Sequence, residues 1–149
     1  MNILIAYATY SGGTQAASEF LSQTLTSAGH QVTTKMINEL TFENTLNYDL
    51  RIFASPSWDY EGKEGQPHQD FITWMQNSTG KKFDGKSCVV LGLGDSSYAH
   101  FCGAVPIMED FIKTAGGTLK TTSLMIDGYL FDTEKNNNLI LEWAKKLTS

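Results

Sequence analysis

Five short apolar runs, separated by segments with helical periodicity, constrain this sequence more than any other feature. They are Ile3–Ala6, Gln31–Ile37, Leu50–Ala54, Cys88–Leu91 and Leu119–Ile126. The second is weak, apolar only at Val32, Met36 and Ile37, and the fifth is apolar mainly at Leu124, Met125 and Ile126. Runs that are nearly continuous, rather than alternating with polar residues, suit strands covered on both faces. Between them, Thr14–Ala28 brings Ala17, Phe20, Leu21 and Leu25 near one helical face and stops before Gly29. Pro67–Asn77 carries Phe71, Ile72, Trp74 and Met75, with Pro67 suited to a first helical turn. Val105–Ala115 carries Met108, Phe111 and Ile112, and Asp132–Leu147 carries Leu139, Ile140, Trp143 and Leu147. Asn38–Asn47 has no clear period and leaves room for a short helix. Strand–helix alternation over 149 residues predicts one α/β domain, 1–149, with a doubly wound parallel sheet. Five strands predict the order 2-1-3-4-5, with ligands bound beyond the carboxyl ends of the first and third.

Composition narrows the function. A net charge of -5 argues against nucleic acid, whose phosphates want a basic face. No apolar run approaches the roughly 20 residues of a membrane span. Met1-Asn2 leads straight into the first apolar run with no basic region ahead of it, so the chain reads as cytoplasmic. Cys88 and Cys102 form no CxxC pair and read as reduced thiols. His30 and His68 have no metal-ligand partner at useful spacing, so no metal is expected.

The unusual segments follow the first, third and fourth strands, where a ligand would sit. Thr9-Tyr10-Ser11-Gly12-Gly13-Thr14 offers hydroxyls and glycines at a helix start. Glycines let backbone N–H groups turn inward, and the helix start adds unsatisfied donors and partial positive charge. No Lys or Arg lies between Met1 and Gln31, so a phosphate here would be held by neutral donors. That excludes a Walker-type loop and favours a monophosphate. Ser55-Pro56-Ser57-Trp58-Asp59-Tyr60-Glu61-Gly62 places aromatics in a polar loop where no period buries them. The third loop runs from Leu93-Gly94-Asp95 through Tyr98 and His100 to Phe101-Cys102-Gly103. Its Gly92-x-Gly94 lacks a third glycine and follows the wrong strand for a dinucleotide fingerprint. Each loop alone also fits an ordinary capped turn or an aromatic folded onto the core. Together, two aromatic-bearing loops at one sheet edge could clamp a flat ring.

Taken in order, these segments resemble the flavodoxins. Thr9–Thr14 is similar to the family's T/S-x-T/S-G-x-T phosphate loop, and Pro56–Tyr60 to its P-T-W-x-Y loop. Gly94-Asp95-Ser96-Ser97-Tyr98, continuing through Phe101-Cys102-Gly103, resembles its second flavin loop. The resemblance spans the whole chain, and its length is that of the short-chain type. It implies a flavodoxin-like three-layer sandwich around one non-covalently bound FMN. It also implies roles for individual residues. Thr9, Tyr10, Ser11, Gly12, Gly13 and Thr14 would hold the phosphate. Pro56, Ser57, Trp58, Asp59 and Tyr60 would form the inner ring loop, with the Asp59–Tyr60 peptide facing flavin N5. Leu93, Gly94, Asp95 and Cys102 would bond the pyrimidine edge, with Phe101 beside them. Tyr98 would stack on the outer face, and Trp58 or Tyr60 on the inner one. Trp58 is favoured because it follows Pro56-Ser57. The chain departs from the family form in placing Gly62 one residue further from Trp58 and in having side chains at the peptide facing N5.

The implied function is a low-potential one-electron carrier and not an enzyme, a monomer shuttling electrons between redox proteins that dock near the flavin edge. Asp59, Glu61 and Asp95, with Glu64 further on, would disfavour a second negative charge on the ring. The rival on the same fold is a small NAD(P)H:quinone reductase, for which no nicotinamide or quinone pocket is visible in the sequence.

Overall fold

The computed structural model describes residues 1–97 and 101–149, and of Tyr60 the backbone alone. Its main sheet contains β1 (Asn2–Tyr7), β2 (Gln31–Met36), β3 (Leu50–Pro56), β6 (Ser87–Gly94), β7 (Thr118–Leu119) and β8 (Leu124–Asp127). A separate antiparallel hairpin pairs β4 (Trp58–Tyr60) with β5 (Lys63–Gln66). The helices are α1 (Gly13–Ser27), α2 (Gln69–Asn77), α3 (Ala104–Thr114) and α4 (Thr133–Leu147).

The sheet is parallel and runs β2-β1-β3-β6-β7, with β8 also paired to β6. With the hairpin set aside, this is the predicted order 2-1-3-4-5. Successive residues of each central strand enter different cores, as expected of strands covered on both sides. Ile3, Ile5, Ile52, Val89 and Leu91 pack with Leu21 and Leu25 of α1 and with Ile140 and Trp143 of α4. Leu4, Ala6, Phe53, Cys88 and Val90 pack with Phe71 and Trp74 of α2 and with Met108 and Ile112 of α3. The result is three layers.

Details differ from the sequence expectations for identifiable reasons. The fifth strand is broken: β7 pairs with Ser87 and Cys88, β8 pairs from Leu91 to Gly94, and the polar stretch 120–123 lies between. Pro67 lies ahead of α2 rather than in its first turn, because His68 is the cap and its side chain accepts from Asp70 N–H. Asp132 caps α4 in the same way, accepting from Lys135 N–H at 3.1 Å. The region 38–47 forms two short 3-10 turns, Ile37–Glu39 and Glu43–Asn47.

The β4–β5 hairpin turns at Glu61-Gly62, with φ of 51° and 82°. Two successive positive φ values are what a two-residue type I′ turn requires. Gly62 adopts its value freely, whereas Glu61 places a Cβ in the left-handed region at a cost. The hairpin thereby absorbs the additional residue between Trp58 and Gly62. Glu61→Asn should therefore raise apoprotein stability by about 0.5–1 kcal/mol, because Asn-Gly suits this turn. Thermal unfolding of both proteins is the check, and Glu61→Val should shift the midpoint the other way.

Candidate functional site

The register of the central strands sets the site. Tyr7 of β1 pairs with Ala54 of β3, and Pro56 of β3 pairs with Leu93 of β6. The three loops therefore leave one edge of the sheet side by side.

The first loop turns into α1 through Gly12, whose φ is 92°. Thr9 Oγ1 accepts from Gly12 N–H at 2.9 Å, which shapes the turn and leaves the Thr9 hydroxyl proton available to donate. No acidic residue stands in the first turn of α1, so nothing on the helix neutralises its positive end. Thr14 is buried at the base of the loop and Ser11 is exposed at its rim. The Tyr10 side chain is engaged elsewhere: its hydroxyl accepts from Gln69 N–H at 3.0 Å, and its ring meets Trp58 and His68.

The second loop is the hairpin. Ser57 N–H donates to Leu93 O at 2.8 Å, and Ser57 Oγ accepts from Ala104 N–H at the start of α3 at 3.1 Å. The hairpin also closes on α3 by backbone contact. A Cβ on Gly103 would lie 2.7 Å from Gly65 O, so only glycine fits there. This anchoring leaves the Trp58 side chain 49% exposed, at the wall of an open cleft.

The third loop shows why Gly92 and Gly94 are glycines. A Cβ on Gly92 would meet Val105 Cγ2 at 2.3 Å, and one on Gly94 would meet Cys102 Sγ at 2.9 Å. They let α3 and Cys102 close on β6, which is a packing role. Asp95 Oδ1 accepts from Ser97 N–H at 2.9 Å. Asp127, at the end of β8, grips the same loop: Ser96 N–H donates to Oδ1 at 2.9 Å and Ser96 Oγ donates to Oδ2 at 2.7 Å. These bonds hold the Asp127 carboxyl below its ordinary range. Cys102 is fully buried with φ of 49°, and its thiol points at the carbonyls of Gly92 and Ile126. Phe101 is half-buried beside it. Tyr98 and His100 lie outside the described residues, as does the side chain of Tyr60.

These loops enclose two clefts that share Ser57, Trp58 and Asp95. One, of about 240 Å³, is lined by the Thr9–Thr14 loop, Leu93 and the turn after β8. The other, of about 160 Å³, is lined by Trp58, Asp59, Glu64, Gly65 and Cys102. The arrangement suits a ligand with an anionic end at α1 and a flat, largely apolar end against Trp58. Leu130 and Phe131 of the turn after β8 line the larger cleft and are exposed, Phe131 by 90%. Neither they nor Asp127 were picked out by sequence. Their one signal is position, directly after the fifth apolar run and therefore at the carboxyl edge of the sheet.

Comparison with known proteins identifies the family and the fold. The flavodoxin family model matches residues 5–137. The chain belongs to the flavodoxin family. A flavodoxin of Maridesulfovibrio salexigens is 31% identical over 142 residues, covering 95% of this chain and 92% of that one. Oxidised flavodoxin 2 from Bacillus cereus superposes with a TM-score of 0.88 at 26% identity, covering 99% of this chain and 98% of the other. The fold is shared also with Fusobacterium nucleatum flavodoxin bound to flavin mononucleotide, with a TM-score of 0.80, 18% identity, and 99% and 96% coverage.

Within this flavodoxin fold both cysteines are structural. Burial pushes the Cys88 and Cys102 thiols up to about 12. A raised pKa keeps the nucleophilic thiolate scarce until the pH nears that value. Both should resist alkylation by iodoacetamide in the native protein at pH 8 and react fully in denaturant. Mass spectrometry before and after unfolding checks this, and rapid native labelling of Cys102 would contradict it.

Proposed function

We propose that the protein is a one-electron carrier that holds one FMN non-covalently across the paired clefts and passes electrons between redox proteins docking at the exposed cleft edge. The observation that carries this reading is the pairing itself: a cation-free helix start shaped for a phosphate beside an aromatic ledge shaped for a ring. When bound, FMN supplies chemistry that accepts and releases electrons singly. The chain's own residues bind and tune. Thr9, Ser11 and Thr14, with the N–H groups at the start of α1, are the phosphate donors, and Gly12 and Gly13 keep the approach open. Trp58 is the inner ring face. The backbone of Leu93, Gly94, Asp95 and Cys102 borders the ring, with Tyr98 assigned to its outer face. The Fusobacterium flavodoxin of the same fold binds the same cofactor. The role is that of a cytoplasmic, monomeric carrier with no turnover substrate of its own.

The phosphate assignment is tested by ligand titration. FMN should bind far more tightly than riboflavin, and Ser11→Ala or Thr14→Ala should each cost about 1 kcal/mol or more of FMN binding. Equal affinities for FMN and riboflavin would sink the assignment. On the ring side, Trp58→Ala should weaken FMN by about 1 kcal/mol and by more than Tyr60→Ala does. The reverse order would move the inner stacking role to Tyr60.

The ring cleft is also acidic. Asp59, Glu64 and Asp95 line it, and no described Lys or Arg does. Negative charge accumulating on a ring held there is disfavoured by Coulomb repulsion, which weakens only where water screens it. Neutralising Asp59, Glu64 and Asp95 together, each to its amide, should raise the potential of the second reduction by an amount on the order of tens of millivolts. A redox titration of the loaded protein measures this, and an unchanged potential would show that these carboxylates do not tune the site.

A further inference from the structure

The start of α2 is closed by three side chains, two of them from other elements. The first N–H groups of a helix have no partner within it, and Ser, Thr, Asp or Asn usually caps them. Here His68 N–H donates to Ser55 Oγ at the end of β3 at 2.9 Å. Gln69 N–H donates to the Tyr10 hydroxyl in the loop after β1 at 3.0 Å. Asp70 N–H donates to His68 Nδ1 at 2.9 Å. An accepting Nδ1 needs its lone pair, so the imidazole is neutral with its proton on Nε2. Burial favours that state by lowering the His68 pKa, against the opposing pull of the Asp70 carboxylate and the Thr9 carbonyl.

The same imidazole stacks on Tyr10, with ring centroids 3.8 Å apart and planes 22° from parallel. Tyr10 in turn meets Trp58, with centroids 4.5 Å apart. A continuous row of rings, His68–Tyr10–Trp58, thus links the cap of α2 to the ring ledge, and its middle member belongs to the phosphate loop. His68 itself is buried and lines neither cleft.

We propose that His68 is a positioning residue for the cofactor: its ring, fixed by the α2 cap, braces Tyr10 and so holds both the phosphate loop and Trp58 in their binding arrangement before the ligand arrives. The idea rests on the FMN reading above. Affinity gained in this way comes from preorganisation, because a loop already ordered gives up less freedom on binding.

Capping and ring bracing are separable by mutation, and because both variants below also lose the contact with the Thr9 carbonyl, that loss is common to them. His68→Asn keeps a good cap but removes the ring. His68→Phe keeps a ring but removes the acceptor. If bracing positions the site, His68→Asn should unfold within a few degrees of wild type yet bind FMN roughly three- to tenfold more weakly. His68→Phe should unfold at lower temperature yet bind FMN within about twofold of wild type. In a Tyr10→Ala background, His68→Asn should change FMN affinity less than about twofold, since the braced ring is already gone. Thermal unfolding of the apoproteins and FMN fluorescence titrations supply both readouts. Affinity that tracks thermal stability across the two variants, wild-type affinity in His68→Asn, or an equal loss with and without Tyr10 would each overturn the proposal. Should His68→Phe fail to fold, the His68→Asn comparison in the two backgrounds decides alone. Failure of wild type to bind FMN would instead overturn the reading beneath it.

Discussion

The in-register parallel pairing of β3 with β1 on one side and β6 on the other is the constraint on which the rest of the molecule depends. Parallel strands end at the same edge, so this register brings the loops after β1, β3 and β6 together. The register is itself held by the two cores. Ile52 and Phe53 are adjacent in β3 but belong to opposite cores, under α1 and α4 in one case and α2 and α3 in the other. A one-residue slip would exchange an isoleucine site for a phenylalanine site along the whole strand. Positions in the sheet that seem purely structural are for that reason what place the site.

Above the sheet, the loops are held by polar contacts and by close backbone approach. Ser57 joins the second loop to the third through Leu93 and Ala104, Asp127 grips Ser96, and Gly103 admits the backbone of Gly65. Tyr10 joins the first loop to α2. None of these contacts uses a lysine or arginine, so the site is assembled from neutral donors with carboxylates at its edge. Such a site can bind a phosphate by directed N–H and O–H groups while leaving the ring end electrostatically hostile to added negative charge. In the proposed reading, binding of the anionic tail and destabilisation of a reduced ring are compatible because they would act at opposite ends of one ligand.

Much of this was legible in the sequence. Double-sided burial writes strands as nearly continuous apolar runs, and helices on the same cores show their 3.6-residue period, so the sheet order followed. The loops were legible only in combination: hydroxyls and glycines at 9–14, and aromatics in two further loops at the same sheet edge, each fit an ordinary turn alone but not together. The remainder depends on partners distant in sequence. Nothing periodic marks Trp58–Gln66 as a hairpin, since its pairing is short and bulged and its turn uses Glu61 against preference. The break in the fifth strand follows from polar residues 120–123. The Gly92-x-Gly94 pair carried no fingerprint in sequence, and only the positions of Val105 and Cys102 show why both are glycines. His68 carried no signal beyond its lack of a metal-ligand partner, because Tyr10 and Ser55 meet it only in the folded chain.

The central claim is that one FMN, held without a covalent bond, fills the paired clefts. Its most direct test is to reconstitute the apoprotein with excess flavin, remove unbound material, then denature and identify what is released. One FMN per chain, recovered fully in solution with none left attached to the polypeptide, is the predicted result. A protein that retains no flavin absorbance, or that selects FAD over FMN, would contradict the account.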